Sequence, residues 1–392
     1  MKRNFFDLPD GVIYLDGNSL GPLPKAATAR LAEAAQDQWG GLLIRGWNDA
    51  GWMQMPARLG DRIAPLIGAP PCSVVVGDTL SIKVFQALSA ALNMRPDRTV
   101  ILSDSGNFPT DLYMAEGLVK ALDRGLELRI VAPEDVAAHI DDSVAVLMLT
   151  QVDYRTGRMH DMAALSDLAR AAGVVTLWDL AHSAGAVPVD LTGCEVDFAV
   201  GCTYKYLNGG PGAPAFIYVR PALSHKVDPI LCGWLGHDQP FAFDLAYHPA
   251  VAVQRMRVGT PPVLQMAALD AALDVWDGIT MDAVRARSIV LSELFIKEVE
   301  SRCPDLTLAS PRDSALRGSQ VSFAHPEGYA AMQALIARGV IGDFRAPDIM
   351  RFGFTPLYLD ESDILKAVHI VEDVMIHALW DNPQYQQKAA VT

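Results

Sequence analysis

Between about residue 61 and residue 221, short apolar runs alternate with stretches of helical spacing. The runs Val74–Val76, Val100–Leu102, Leu128–Val131, Val144–Leu149 and Val174–Trp178 are rich in β-branched residues. They read as strands, and the run ending at Asp179 as one covered on both faces. Between them, Ile82–Leu92 and Met162–Ala172 carry apolar residues at helical intervals, and the alternation predicts a mostly parallel sheet with helices on both faces. Val196–Gly201 and Ala215–Val219 read as two further strands, with Gly209, Gly210 and Gly212 in their connection. A long helical stretch from about Val263 to Val299 follows. Gln320–Phe323 and Met350–Phe354 are then short strand candidates among helices, which predicts a smaller α+β domain. The polar tail Asp381–Lys388 reads as a frayed end.

Composition narrows the picture. A chain of 392 residues with 51% hydrophobic content can bury a large core and exceeds the usual size of one domain. A formal net charge of -14, without a lysine or arginine run, leaves no basic patch for a phosphate backbone, so no nucleic-acid partner is expected. The five cysteines are scattered and never spaced C-x-x-C. That pattern suggests reduced thiols in a cytoplasmic protein, with neither a disulfide frame nor a metal site. The first residues turn polar before a signal-like stretch develops, and no apolar run reaches membrane-spanning length, so no membrane association is expected.

The chemistry gathers at two points. One apolar run ends in Trp178-Asp179-Leu180-Ala181-His182, which puts the Asp179 carboxylate at the carboxyl end of a strand, where open α/β sheets bind ligands. Lys205 lies on the connection after the next strand, between Tyr204 and Tyr206 and ahead of a glycine-rich turn. Singly, such an aspartate is often a turn residue and such a lysine a solvated charge. Together they suit the two ends of pyridoxal phosphate (PLP), whose aldehyde needs an amine and whose ring nitrogen keeps its proton beside a buried carboxylate. Ser73–Ser81 supplies a strand, a tight turn and a hydroxyl before a helix, and free N–H groups there favour phosphate. The competing reading makes Asp78, Thr79 or Ser81 an ordinary N-cap. Asn107-Phe108-Pro109-Thr110-Asp111 can bring a flat ring and a carboxylate to the same cleft, or simply start a helix.

Several longer motifs carry a family resemblance: Tyr14–Gly21, Trp178–His182, Tyr204–Asn208, Gly233–His237, Arg257–Pro262 and Arg351–Tyr358. From about residue 13 to 375 the chain resembles kynureninase, of the class V aminotransferase group. The resemblance implies a PLP-dependent transferase fold of type I, with a mostly parallel seven-stranded sheet flanked by helices and a smaller C-terminal α+β domain. The expected division is an N-terminal segment, 1–45, packing with the small domain, a large PLP-binding domain, 46–265, and a small domain, 266–392. A homodimer with active sites at the subunit interface is also implied.

Carried over, the resemblance makes Lys205 the Schiff-base lysine and Asp179 the partner of the ring nitrogen. Phe108 stacks on the ring. Leu80, Ser81, Asp111, Thr150, His182 and Tyr204 line the cofactor, with Ser81 and Tyr204 on the phosphate side, while Trp234 and Thr260 arrive from the partner subunit. Arg351 clamps the substrate α-carboxylate, and the guanidinium fork suits that role. Trp47, near Trp52, is read either as a wall for the substrate's ring or as packing. His182 is read either as a tuner of the cofactor or as a structural residue.

The implied reaction is hydrolysis of L-kynurenine to anthranilate and L-alanine by Cβ–Cγ cleavage, with 3-hydroxykynurenine left open as a second substrate. Lys205 removes the Cα proton, and Tyr204 relays a proton as water adds to the γ-carbonyl. Two alternatives are a cysteine desulfurase or selenocysteine lyase, with Cys303 or Cys232 as sulfur acceptor, and a catalytically silent protein on the same fold. The first departs from this sequence because Tyr204 stands where such enzymes usually place a histidine.

Overall fold

The computed structural model describes residues 1–388. The chain enters through strand β1 (Ile13–Tyr14), helix α1 (Lys25–Glu33) and helix α2 (Met55–Ile63). One large sheet then takes β2 (Val74–Val76), β3 (Val100–Asp104), β4 (Glu127–Val131), β5 (Val144–Thr150), β6 (Val175–Asp179), β7 (Phe198–Gly201) and β8 (Phe216–Val219). Helices α3 (Leu80–Asn93), α4 (Pro109–Leu122) and α5 (Met162–Ala171) are interleaved with them. The strand order is β2-β8-β7-β6-β5-β3-β4. Strands β3 to β7 run parallel, and β8 lies antiparallel to both β7 and β2.

Every residue of β5, β6 and β7 is buried, which is why these strands are written almost without polar residues. Successive side chains alternate between two cores. Leu147, Leu149 and Trp178 pack on one face, while Val146, Met148 and Leu177 pack on the other against Val84 and Leu88 of α3. Each such aliphatic side chain contributes about 1.5–3 kcal/mol on burial. Because parallel strands end on the same side, Thr150 and Asp179 close β5 and β6 as register partners.

The second sheet follows α6 (Val263–Leu273) and α7 (Met281–Arg302) and is antiparallel. Its strands are β9 (Thr307–Leu308), β10 (Gln320–Ala324), β12 (Asp343–Arg345) and β13 (Ile349–Gly353), in the order β9-β10-β13-β12. Strict alternation sorts its two faces. Phe323 and Phe352 pack against Phe295 of α7, with ring centroids 6.1 and 4.9 Å away. Gln320, Ser322 and Arg351 take the opposite face and bond carbonyls of the loop after β5. Helices α8 (Gly328–Ile336) and α9 (Glu361–Ile376) complete this part. Strand β11 (Val340–Ile341) pairs in parallel with β1, and Gly353 N–H donates to Leu15 O at 2.6 Å, so the N-terminal segment is stitched to the smaller sheet.

Two expectations change. The long helical stretch from Val263 is interrupted: α6 passes into a 3₁₀ turn at Asp274–Trp276, Gly278 adopts φ +74°, and the Thr280 side chain caps α7. A left-handed glycine and a threonine cap are ordinary helix punctuation, masked in the sequence by apolar residues on both sides. The tail is also less frayed than expected. Pro383–Gln386 forms a helical turn whose Asn382 side chain accepts from Gln384 N at 3.1 Å, and the Tyr329 hydroxyl donates to Gln387 O at 3.1 Å.

The N-terminal segment also touches the loop that carries Lys205. Gly21 N–H donates to Tyr204 O at 2.8 Å, and a Cβ on Gly21 would lie 2.4 Å from Lys205 O. Gly21→Ala is therefore expected to cost about 1–3 kcal/mol, as overpacking does. Gly117→Ala, in the open middle of α4, should gain roughly 0.5–1 kcal/mol. Urea midpoints of the two variants check the contrast, and equal midpoints would count against this close approach.

Candidate active site

The carboxyl ends of β3, β5, β6 and β7 share one side of the large sheet, and each passes into a turn that carries a polar group. After β7, Thr203 Oγ1 donates to Pro214 O at 2.6 Å, Gly209 N–H to Thr203 O at 2.8 Å and Asn208 N–H to Lys205 O at 2.9 Å. These bonds fix the loop around Lys205. Its Nζ stands 2.9 Å from His182 Nε2, 6.0 Å from the centre of the Phe108 ring and 5.8 Å from that of Tyr204. Burial, then the charges of Lys205, Arg351 and Arg345, hold His182 well below the usual imidazole range, so the ring beside the lysine is neutral. Its other ring nitrogen is buried without a partner.

Asp179 is only 3% exposed; its Oδ1 accepts from Ala181 N at 2.8 Å, and it makes no ion pair with a described residue. Burial raises its carboxyl to about 6, against the opposing pull of Lys205. Asp111, in the first turn of α4, adjoins it and is pushed well above the carboxylate range by burial and then by the Asp179 charge. The pair shares a proton that Asp111 keeps, and Asp111 Oδ2 has no partner. Two desolvated carboxyls with no cation paired to them suit a protonated ring nitrogen. Phe108, the N-cap of α4, leaves its ring partly exposed, edge-on to Tyr154 at 5.2 Å. Thr150 is buried at the end of β5, its Oγ1 3.4 Å from Val152 O.

The turn before α3 could seat an anion. Thr79 is the N-cap, in extended conformation, but its side chain makes no capping bond, so the first-turn N–H groups at Leu80 and Ser81 stay available. Asp78, at φ +57°, is held from beneath by Lys83, which is 1% exposed. The Lys83 ammonium lies 2.9 Å from Asp78 Oδ2, 2.9 Å from Gln86 Oε1 and 2.8 Å from Met256 O. Sequence reading missed this lysine, since nothing distinguishes it from other helical lysines. Tyr204 completes the cleft, and burial, then Cys202 and Asp179, push its phenol upward, so it stays protonated.

Arg351 is also buried, 1% exposed, and its guanidinium is already paired within the chain. Its Nε donates to Asp343 Oδ1 at 2.5 Å, its Nη2 to Asp343 Oδ2 and to Ser19 Oγ, and its Nη1 to Tyr154 O. Trp234 and Thr260 lie elsewhere on the chain surface. Leu235 N–H donates to Val258 O, and a Cβ on Gly233 would lie 2.2 Å from that same oxygen, so the segments bearing Trp234 and Thr260 are zipped into one ridge. No described contact joins either residue to Lys205. Trp47 stands edge-on to Trp52 at 5.8 Å, packed against the core and likewise without a described contact to Lys205.

The thiols do not suit sulfur transfer. Cys303 is buried and pushed up to about 11 by desolvation, while burial, then Asp228, raise Cys232, whose Sγ donates to Pro229 O. Neither offers a ready thiolate.

In fold the chain is similar to an apo cysteine desulfurase from Thermococcus onnurineus NA1, with TM-score 0.79 and 16% identity over 96% of this chain and 97% of that one. It is also similar to a C-DES variant with glycine covalently linked to its PLP cofactor, with TM-score 0.81 and 20% identity over 95% and 99%. The architecture is thus that of the PLP-dependent fold type I enzymes. Residues 284–371 match the model of the kynureninase C-terminal domain. Across its whole length the chain is 51% identical to the kynureninases of Pseudomonas fluorescens and Burkholderia mallei (strain SAVP1), covering 95% of each. The chain belongs to the kynureninase family.

The partly buried Asp16, beside Asp343, couples folding to pH. Burial, then the charge of Asp343, raise Asp16 from 3.8 to about 7, with Ser19, Arg351 and Arg345 opposing. A carboxyl that binds its proton more tightly when folded stabilises the fold while protonated, and loses that contribution as pH rises through about 7. Asp16→Asn keeps the neutral form at every pH. Relative to the parent its advantage should grow between about pH 4 and about pH 7 and then level off, on the order of a few kcal/mol. Urea midpoints across that range test this, and a gap that does not change with pH would refute it.

Proposed function

We propose that the protein hydrolyses L-kynurenine to anthranilate and L-alanine with PLP as cofactor. The observation that carries this reading is the Lys205–His182 contact beside the buried, unpaired Asp179, in a chain 51% identical to kynureninases over its full length. Ser81 and the free N–H groups of α3 would hold the phosphate, Phe108 the ring face, and Asp179 with Asp111 the ring nitrogen. Leu80, Thr150, His182 and Tyr204 would line the rest. When bound, the cofactor supplies an electrophilic carbon for amines and a sink for electrons released at the substrate's Cα.

The chain's own residues do the rest. His182, held neutral, orients the Lys205 amine and leaves it able to take the Cα proton. Tyr204 keeps its phenolic proton and can deliver it as water adds to the γ-carbonyl. Arg351 would fix the α-carboxylate.

We also infer a cytoplasmic homodimer built on the division 1–45, 46–265 and 266–392. Phe241, Phe243, Leu245 and Val251 are exposed close to Trp234, an apolar surface of the sort that partner subunits cover. A second copy would bring Trp234 and Thr260 to the cleft, where Thr260 would set the choice between kynurenine and its 3-hydroxy form. No described helix is long and apolar enough to cross a membrane.

The purified protein should release fluorescent anthranilate from kynurenine and no sulfide from cysteine; the reverse would overturn the proposal. Borohydride reduction should leave the cofactor on the peptide containing Lys205, and Lys205→Ala should abolish that adduct. Tyr204→Phe should slow turnover by roughly 10²–10⁴-fold while the cofactor stays bound. Unchanged turnover would remove Tyr204 from the relay.

A further inference from the structure

The guanidinium of Arg351 presents two forks, a side-on one formed by Nε and Nη2 and an end-on one formed by Nη1 and Nη2. The side-on fork is filled by a full charge: Nε donates to Asp343 Oδ1 at 2.5 Å and Nη2 to Asp343 Oδ2. The end-on fork meets only neutral oxygens, Ser19 Oγ at 2.9 Å on Nη2 and Tyr154 O on Nη1. A substrate carboxylate arriving end-on therefore competes with neutral acceptors, whereas side-on it would have to displace an anion.

Sheet register builds this asymmetry. Asp343 and Arg351 are cross-strand partners on β12 and β13, so their side chains share one face. Arg345, two residues along β12, holds Asp343 Oδ2 at 2.8 Å, and Ser19 Oγ donates to the same oxygen at 2.5 Å. Asp343 is thus gripped by three groups and cannot swing away with the arginine. Although burial pushes its carboxyl up, the bonds and charges of Arg351 and Arg345 more than reverse that, and it stays ionised.

We propose that Asp343 is the positioning residue for substrate carboxylate recognition, holding Arg351 from the side so that its end-on fork faces the cleft. This rests on the reading of Arg351 as the carboxylate clamp. Removing the anion frees Arg351 to rotate and leaves its side-on fork to compete for the substrate in an unproductive pose. The loss appears in substrate binding, because the groups that move protons are elsewhere.

The test compares Asp343→Asn, Asp343→Glu, Ser19→Ala and Arg351→Lys, each purified with cofactor loaded. For every variant, kcat and KM are measured with kynurenine, together with the inhibition constant of its decarboxylated analogue, which lacks the carboxylate. Asp343→Asn should raise KM for kynurenine by about tenfold to a hundredfold with kcat within about threefold, and should leave the analogue's constant unchanged. Asp343→Glu, which keeps the charge one methylene farther out, should give a smaller rise, and Ser19→Ala a smaller one still. Should Asp343→Asn fail to fold, the last two decide, and folded variants with unchanged KM overturn the proposal. Equal weakening of the analogue would mark Asp343 as structural and also overturn it. If Arg351→Lys raises KM but the Asp343 variants do not, this inference alone fails. If Arg351→Lys leaves KM unchanged, the clamp reading itself falls.

Discussion

Burial of the Asp179 carboxylate at the end of a strand covered on both faces is the constraint around which this molecule is arranged. A charge in that position is costly unless something nearby favours it, and the chain provides one backbone N–H, the charge of Lys205 and a second carboxyl that keeps its proton. Such an arrangement suits a cationic ring. The same geometry sets the rest of the cleft. Parallel strands finish together, so Thr150, Asp179 and the loops bearing Phe108 and Lys205 are delivered to one side with little further design.

The smaller sheet faces this cleft with its polar side because alternation leaves it no other option. Phe323 and Phe352 commit one face to Phe295, which turns Gln320, Ser322 and Arg351 toward the loop after β5. Two carbonyls of that loop, Tyr154 and Arg155, are bonded from the smaller sheet, and the Tyr154 ring meets Phe108. Arg351 and Phe108 are therefore linked through one short loop. The N-terminal segment joins both parts, bonding β11 at one end and the Lys205 loop at the other.

The strands of the large sheet were legible to within a residue or two, because a parallel sheet needs continuous apolar runs and nothing else in the chain looks the same. Asp179 and Lys205 were legible for a related reason, as charged residues set directly after such runs. The helix break at Gly278 was hidden, since apolar residues continue across it and a single glycine is a weak signal. The helical turn in the tail depends on a bond from Tyr329, more than fifty residues earlier.

What the sequence by itself determined is the set of elements and the chemical kinds of residue at their ends, since periodicity and β-branching act locally. What only the tertiary structure decided is which polar groups meet. His182 against Lys205, Asp111 against Asp179, Lys83 against Asp78 and Asp343 beside Arg351 are pairings set by strand order and register. A carboxylate or an amine carries no mark of its partner along the chain. Its ionisation and its role are fixed only when folding takes it out of water beside one particular neighbour.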